Sequence, residues 1–135
     1  MITNFPIVLS PEVVNAFRVQ GFVVTPDVLS TGEVAQYGAA IDQAVAARTA
    51  SDTRSITDKS TYEQSFLQCM RLCETDPGVV DLTFHEGLAG IAAQLLGVPS
   101  VNLWQDQALY KEPGGRETTA HQDQPFWPIG EAPLI

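Results

Sequence analysis

The chain has 135 residues and a formal net charge of −9, with 44% hydrophobic and 17% charged residues. That length suits one domain, and that composition a folded chain rather than a disordered one. The 7 basic residues form no run, which argues against nucleic acid and anionic membranes as partners. No apolar stretch approaches the ~20 residues that span a bilayer. Met1 to Leu9 lack the basic flank and long apolar core of a signal peptide, so a cytoplasmic protein is the default expectation.

In chain order, Ser10-Pro11-Glu12 predicts a helix start: Ser as N-cap, Pro at the first helical position, an acid in the first turn. Val13, Val14 and Phe17 give its apolar stripe, and Gly21 is its stop. Phe22-Val23-Val24 is short, apolar and partly β-branched, and reads as a strand that Pro26-Asp27 ends. Ser30 with Glu33 matches a capping box. The helix that follows, 31–48, puts Val34, Tyr37, Ile41, Ala44 and Val45 on one face, which is expected to pack on a sheet. Residues 49–60 are rich in Ser, Thr and Asp and read as a loop. It is either a plain connector or, if near an active site, a lid.

Residues 62–73 carry Phe66, Met70 and Cys73 in helical step and predict another amphipathic helix. On it the 2 cysteines, Cys69 and Cys73, would share a face at i and i+4. They read as small buried apolar residues of a reducing compartment, with a zinc or redox pair as the alternative. Asp76-Pro77 repeats the pattern of N-cap plus Pro. Helix is expected through Val80 and Phe84, then from Gly87 to Leu96, with Gly97 as the stop. His85 falls in this stretch and reads as a helix residue, at the surface or in the core.

From Val101 to Lys111 the period changes to two. One face carries Val101, Leu103, Gln105, Gln107, Leu109 and Lys111; the other carries Asn102, Trp104, Asp106, Ala108 and Tyr110. Neither is cleanly apolar, as in a strand that lines a polar cavity or an edge strand with one solvated face. Pro113-Gly114-Gly115 is a turn. A strand bearing His121 and Asp123 is expected next. If the turn closes a hairpin, Gln105, Gln107 and Lys111 come within reach of the same cavity.

In an extended strand, side chains at i and i+2 share a face. His121 and Asp123 can therefore converge on one ion while Gln122 points away. An imidazole and a carboxylate are two of the three ligands of the facial triad that holds non-haem Fe(II). No histidine follows His121. Residues 130–135 are turn-like and end on Leu134-Ile135, which reads as a chain cut inside a domain.

These pieces together resemble the N-terminal part of phytanoyl-CoA dioxygenase family proteins, which are Fe(II)- and 2-oxoglutarate-dependent oxygenases. The matching stretches begin with Phe17-Arg18-Val19-Gln20-Gly21-Phe22-Val23-Val24, Val28-Leu29-Ser30-Thr31-Gly32-Glu33-Val34 and Leu95-Leu96-Gly97. They continue with Tyr110-Lys111-Glu112-Pro113-Gly114 and Ala120-His121-Gln122-Asp123-Gln124-Pro125-Phe126-Trp127-Pro128. The resemblance implies an α+β fold: N-terminal helices packed on the first strands of a double-stranded β-helix (jelly roll, cupin-like), truncated. Residues 1–99 would be mainly helical, and 100–135 would hold the first strands of the same single domain.

The resemblance also implies Fe(II) held by His121 and Asp123, with 2-oxoglutarate as cosubstrate. Lys111 and Gln105 would contact the cosubstrate, and Gln107 and Trp127 would face a small organic substrate. A carboxylate at position 123 points to hydroxylation, because related halogenases put a small residue there. The family's distal His and the Arg beyond it are not among these residues, and a jelly roll needs about eight strands. The chain thus reads as part of a longer hydroxylase. The alternative is a catalytically inactive dioxygenase-like binding module or pseudoenzyme; a two-ligand zinc site ranks third.

Overall fold

A computed structural model describes residues 7–127 and Gly130 of the chain. Its helices start where a side chain can take up free backbone N–H groups. In α1 (Pro11–Gln20) the Ser10 hydroxyl accepts the Val13 N–H, and Gly21, at φ 81°, closes the end by donating to Phe17 O. In α2 (Thr31–Thr49) the capping box forms in both directions: Glu33 N–H donates to Ser30 Oγ at 3.2 Å, and Ser30 N–H donates to Glu33 Oε2 at 2.8 Å. Asp76 caps α3 (Pro77–Thr83) by accepting the Gly78 N–H at 2.9 Å. Helix α4 (Glu86–Leu96) ends on Gly97 at φ 70°.

Sequence reasoning missed the cap of α4. It is His85, whose Nδ1 accepts the Leu88 N–H at 3.3 Å. The ring is buried at 9% exposure, edge-on to Tyr37, with Nε2 3.8 Å from Glu33 Oε1. One histidine thus ties the start of α4 to the start of α2.

Two strands, β1 (Leu67–Met70) and β2 (Gln107–Tyr110), pair antiparallel, with Leu67 opposite Tyr110 and Cys69 opposite Ala108. Those four residues share the inner face. They meet Ile41, Ala44 and Val45 of α2, Val79 of α3, and Leu72 and Cys73 to form the core. Helix α2 therefore packs on a sheet, as its apolar face predicts. Leu109, on the outer face, is exposed. The result is an α+β arrangement with a small two-stranded antiparallel sheet among the described residues.

Several expected elements differ. Residues 62–73 are not a helix but a turn, strand β1, and a 3-10 turn at Leu72–Glu74. The helical step of Phe66, Met70 and Cys73 is overridden by a distant ladder partner, which no local pattern reveals. The break falls at Arg71, in the left-handed region at φ 59°. Cys69 is buried in the sheet and Cys73 sits in the turn, so they share no helix face; both are free thiols. Burial pushes the Cys69 thiol up; a hydrogen bond to Asp106 and burial do the same for Cys73. Phe22-Val23-Val24 forms no strand, and Phe22 and Val24 are exposed at 64% and 80%. Without a ladder partner, β-propensity alone does not make a strand.

The strand expected over 101–111 forms only at Gln107–Tyr110. Asp106 ends it by serving another segment. Its carbonyl accepts the Arg71 N–H at 2.8 Å, and its Oδ2 accepts the N–H groups of Leu72 at 2.9 Å and Cys73 at 3.4 Å. His121 and Asp123 lie in irregular backbone, not a strand, and β2 pairs with β1 rather than with a hairpin partner. Residues 50–60 form a loop with one 3-10 turn, Ile56–Asp58, and Thr49 is the last residue of α2. Arg54 pins it through Asp52 at 2.9 Å and Glu63 at 2.7 Å, and hydrogen bonds from Arg54 hold both carboxyls well below the usual range. Apart from Gly130, the turn expected over 130–135 lies outside the described residues. Among those residues no helix is long and apolar enough to cross a membrane.

Candidate metal centre

Strand β2 delivers the chain to this region. Its last residue, Tyr110, donates its hydroxyl to Asp42 Oδ1 of α2, fixing the point from which the next segment leaves. Lys111 follows. Its ammonium donates to Arg116 O at 2.6 Å and to Thr118 Oγ1 at 3.1 Å, and lies 5.9 Å from the centre of the Phe66 ring. The turn at Gly114, φ 79°, folds the chain back so that these contacts close.

Beyond Thr118 the backbone is held by local contacts. His121 Nδ1 meets the Thr119 carbonyl at 2.7 Å, and Nε2 meets Asp123 Oδ1 at 3.2 Å. A carbonyl can only accept, so Nδ1 carries the proton of the first contact. A bare Nε2 would then aim its lone pair at a carboxylate oxygen. A positive charge between the two, proton or metal cation, makes the geometry favourable. An imidazole whose outer nitrogen donates to a backbone carbonyl is the arrangement that orients metal-binding histidines. Both side chains are half exposed, at 50% and 57%, so an ion could reach them. The donor set therefore fits a hard or borderline divalent ion. The convergence predicted from the i, i+2 spacing is present, although the strand invoked for it is not.

The other predicted residues are scattered among different partners. Gln107 Oε1 accepts from Gln68 Nε2 at 2.8 Å across the sheet. Gln105 Nε2 is buried with no acceptor within reach, as is Asp106 Oδ1 with no donor. Trp127 meets Trp104, with ring centres 6.1 Å apart and planes at 60°. No hydrogen bond joins Gln105, Gln107 or Lys111 to the His121–Asp123 pair among the described residues. Of those three, only Gln107 lies in a strand. Sequence reading also passed over Arg116 and Gln64, neither of which belongs to a motif. Among the described residues no set of three or more His, Cys, Asp or Glu side chains converges on one point.

The α+β frame presents an exposed imidazole–carboxylate pair on the irregular segment that follows β2. The profile of the phytanoyl-CoA dioxygenase (PhyH) family matches residues 17–135, and the chain belongs to that family. Its members are generally oxygenases that use Fe(II) and 2-oxoglutarate. No curated protein and no solved structure matches the chain.

Proposed function

We propose that the protein is a non-haem Fe(II)- and 2-oxoglutarate-dependent dioxygenase that hydroxylates a small organic substrate. The observation that carries this reading is the His121–Asp123 pair, oriented through the Thr119 carbonyl, within a chain of this family. Residues 1–135 form the N-terminal portion of one domain in which β1 and β2 belong to a jelly roll. The distal His and the Arg of the family are not among these residues. Free cysteines and an acidic charge agree with a cytoplasmic setting without nucleic-acid or membrane partners.

His121 Nε2 and Asp123 Oδ1 would hold the iron, which supplies oxidative hydroxylation when bound together with 2-oxoglutarate. Asp123 contributes a negative charge that a divalent ion neutralises, and it fills the position a halide would need. Lys111 would offer its ammonium to a cosubstrate carboxylate, exchanging its contacts with Arg116 O and Thr118 Oγ1 for a charged acceptor. Gln105 supports this role, since an unpaired buried amide is costly and a carboxylate would satisfy it. Gln107 and Trp127 would face the substrate.

The test is anaerobic Fe(II) titration with and without 2-oxoglutarate, read by the visible charge-transfer band of the chelated cosubstrate. The band should appear and vanish in His121→Ala and Asp123→Ala. No band from a folded chain would favour the second reading, a dioxygenase-like binding module without turnover. That reading draws on the lack of a third converging ligand among the described residues.

A further inference from the structure

His121 sits on a stretch with no regular secondary structure, yet its two contacts require the backbone at Thr119 to be fixed. The fixing comes from a turn far away in sequence. Gln64 O accepts the Arg116 N–H at 2.9 Å, and Gln64 Oε1 accepts Arg116 Nε at 2.9 Å. The other end of the Gln64 amide donates to Lys59 O at 2.8 Å, so the side chain is held from both sides. Ser65 Oγ donates to Glu117 O at 3.5 Å. Next to the pair, Gly115 allows close approach: a Cβ there would stand 3.2 Å from Gln64 O and 3.0 Å from Glu112 O. Lys111 completes the fastening through Arg116 O and Thr118 Oγ1. Ties to Gln64, Ser65 and Lys111 thus hold Arg116, Glu117 and Thr118, the residues that lead directly into Thr119 and His121.

We propose that Gln64 and Arg116 are positioning residues for the His121–Asp123 metal pair, acting through the backbone that presents Thr119 O to His121. The inference rests on the metal-binding reading above. Neither residue touches the ion. Losing the clasp leaves both ligands present but lets their backbone move, so metal affinity falls while the fold persists. Outer partners of metal ligands are worth about 10- to 100-fold in affinity, and a similar loss is expected here.

The experiment is a Co(II) titration of the whole chain, read by tryptophan emission. The 2 tryptophans of the chain, Trp104 and Trp127, contact each other beside this segment. Wild type, His121→Ala, Gln64→Leu and Gln64→Glu are compared. Gln64→Leu keeps the volume and loses both amide bonds; Gln64→Glu keeps an acceptor for Arg116. The expected result is a dissociation constant raised about tenfold or more in Gln64→Leu and raised less in Gln64→Glu, which keeps the Arg116 acceptor but loses the donor to Lys59 O, with both thermal midpoints close to wild type. Equal affinity in wild type and Gln64→Leu overturns the proposal, as does equal weakening in the Leu and Glu variants. If wild type itself shows no His121-dependent response, the metal reading fails and this inference goes with it. Should Gln64→Leu unfold, Arg116→Lys, which removes only the Nε bond, carries the same comparison.

Discussion

The Tyr110 hydroxyl donates to the Asp42 carboxylate, joining the end of β2 to the middle of α2. The carboxylate, helped by partial burial, pushes the Tyr110 phenol up to about 12. The unfolded phenol titrates near 10. An acid whose folded value is raised contributes stability that is complete below the unfolded value. That contribution is lost as pH climbs from about 10 to about 12. Tyrosinate absorbance should show a late step that disappears in Tyr110→Phe. The Phe variant should also lose about 1 kcal/mol at neutral pH, since the Asp42 carboxylate is exposed. A titration unchanged by the substitution refutes the assignment.

Asp106 ties the Arg71–Cys73 turn to the segment before β2. Asp106→Ala leaves two backbone N–H groups without their acceptor and should cost about 2 kcal/mol in denaturant unfolding. Asp106→Asn keeps an acceptor oxygen and should cost less. Equal losses in both variants would argue that the charge, rather than the acceptor, matters.

Leu72 is the most buried large side chain among the described residues, at 2% exposure, where α2, α3 and the sheet meet. Leu72→Ala should lose about 2–5 kcal/mol. That is a sizeable share of the roughly 5–15 kcal/mol that holds a domain folded, so the variant is expected to show a clearly lower thermal midpoint. A loss below about 1 kcal/mol would mean the site collapses around the smaller side chain.

The 2 histidines of the chain should be opposites. His121 Nδ1 faces a carbonyl and must carry a proton; His85 Nδ1 faces the Leu88 N–H and must be bare. Nitrogen–proton correlation spectra should show a proton on Nδ1 of His121 and none on Nδ1 of His85. His85→Ala removes the cap of α4 and should cost about 1 kcal/mol, whereas His121→Ala, half exposed, should leave stability nearly unchanged. The same Nδ1 state in both rings would contradict one of the two contacts.

Legibility followed sequence distance. Ser10-Pro11, the Ser30–Glu33 box, Asp76-Pro77, Gly21 and Gly97 all act within a few residues, and each did what its chemistry predicts. The His121–Asp123 pairing was equally local, and survived the loss of the strand from which it was argued. Residues 66–70 were misread because their apolar spacing suits a helix, while the outcome was decided by a partner beyond α3 and α4. His85 was missed as a cap because histidine rarely serves as one. The Gln64–Arg116 clasp left no trace in any motif, since it joins two irregular segments.

The pairing of β1 with β2 also orders events in time. Met70 can meet Gln107 only after α3 and α4 have been looped out between them, and long closures of this kind are slow relative to helix formation. Arg116 and the histidine arm follow β2 in the chain, so His121 and Asp123 reach their places only once that closure has formed. Both tryptophans belong to this late region. In a refolding experiment their emission should therefore lag behind the far-ultraviolet helical signal, timing the birth of the site rather than the collapse of the core.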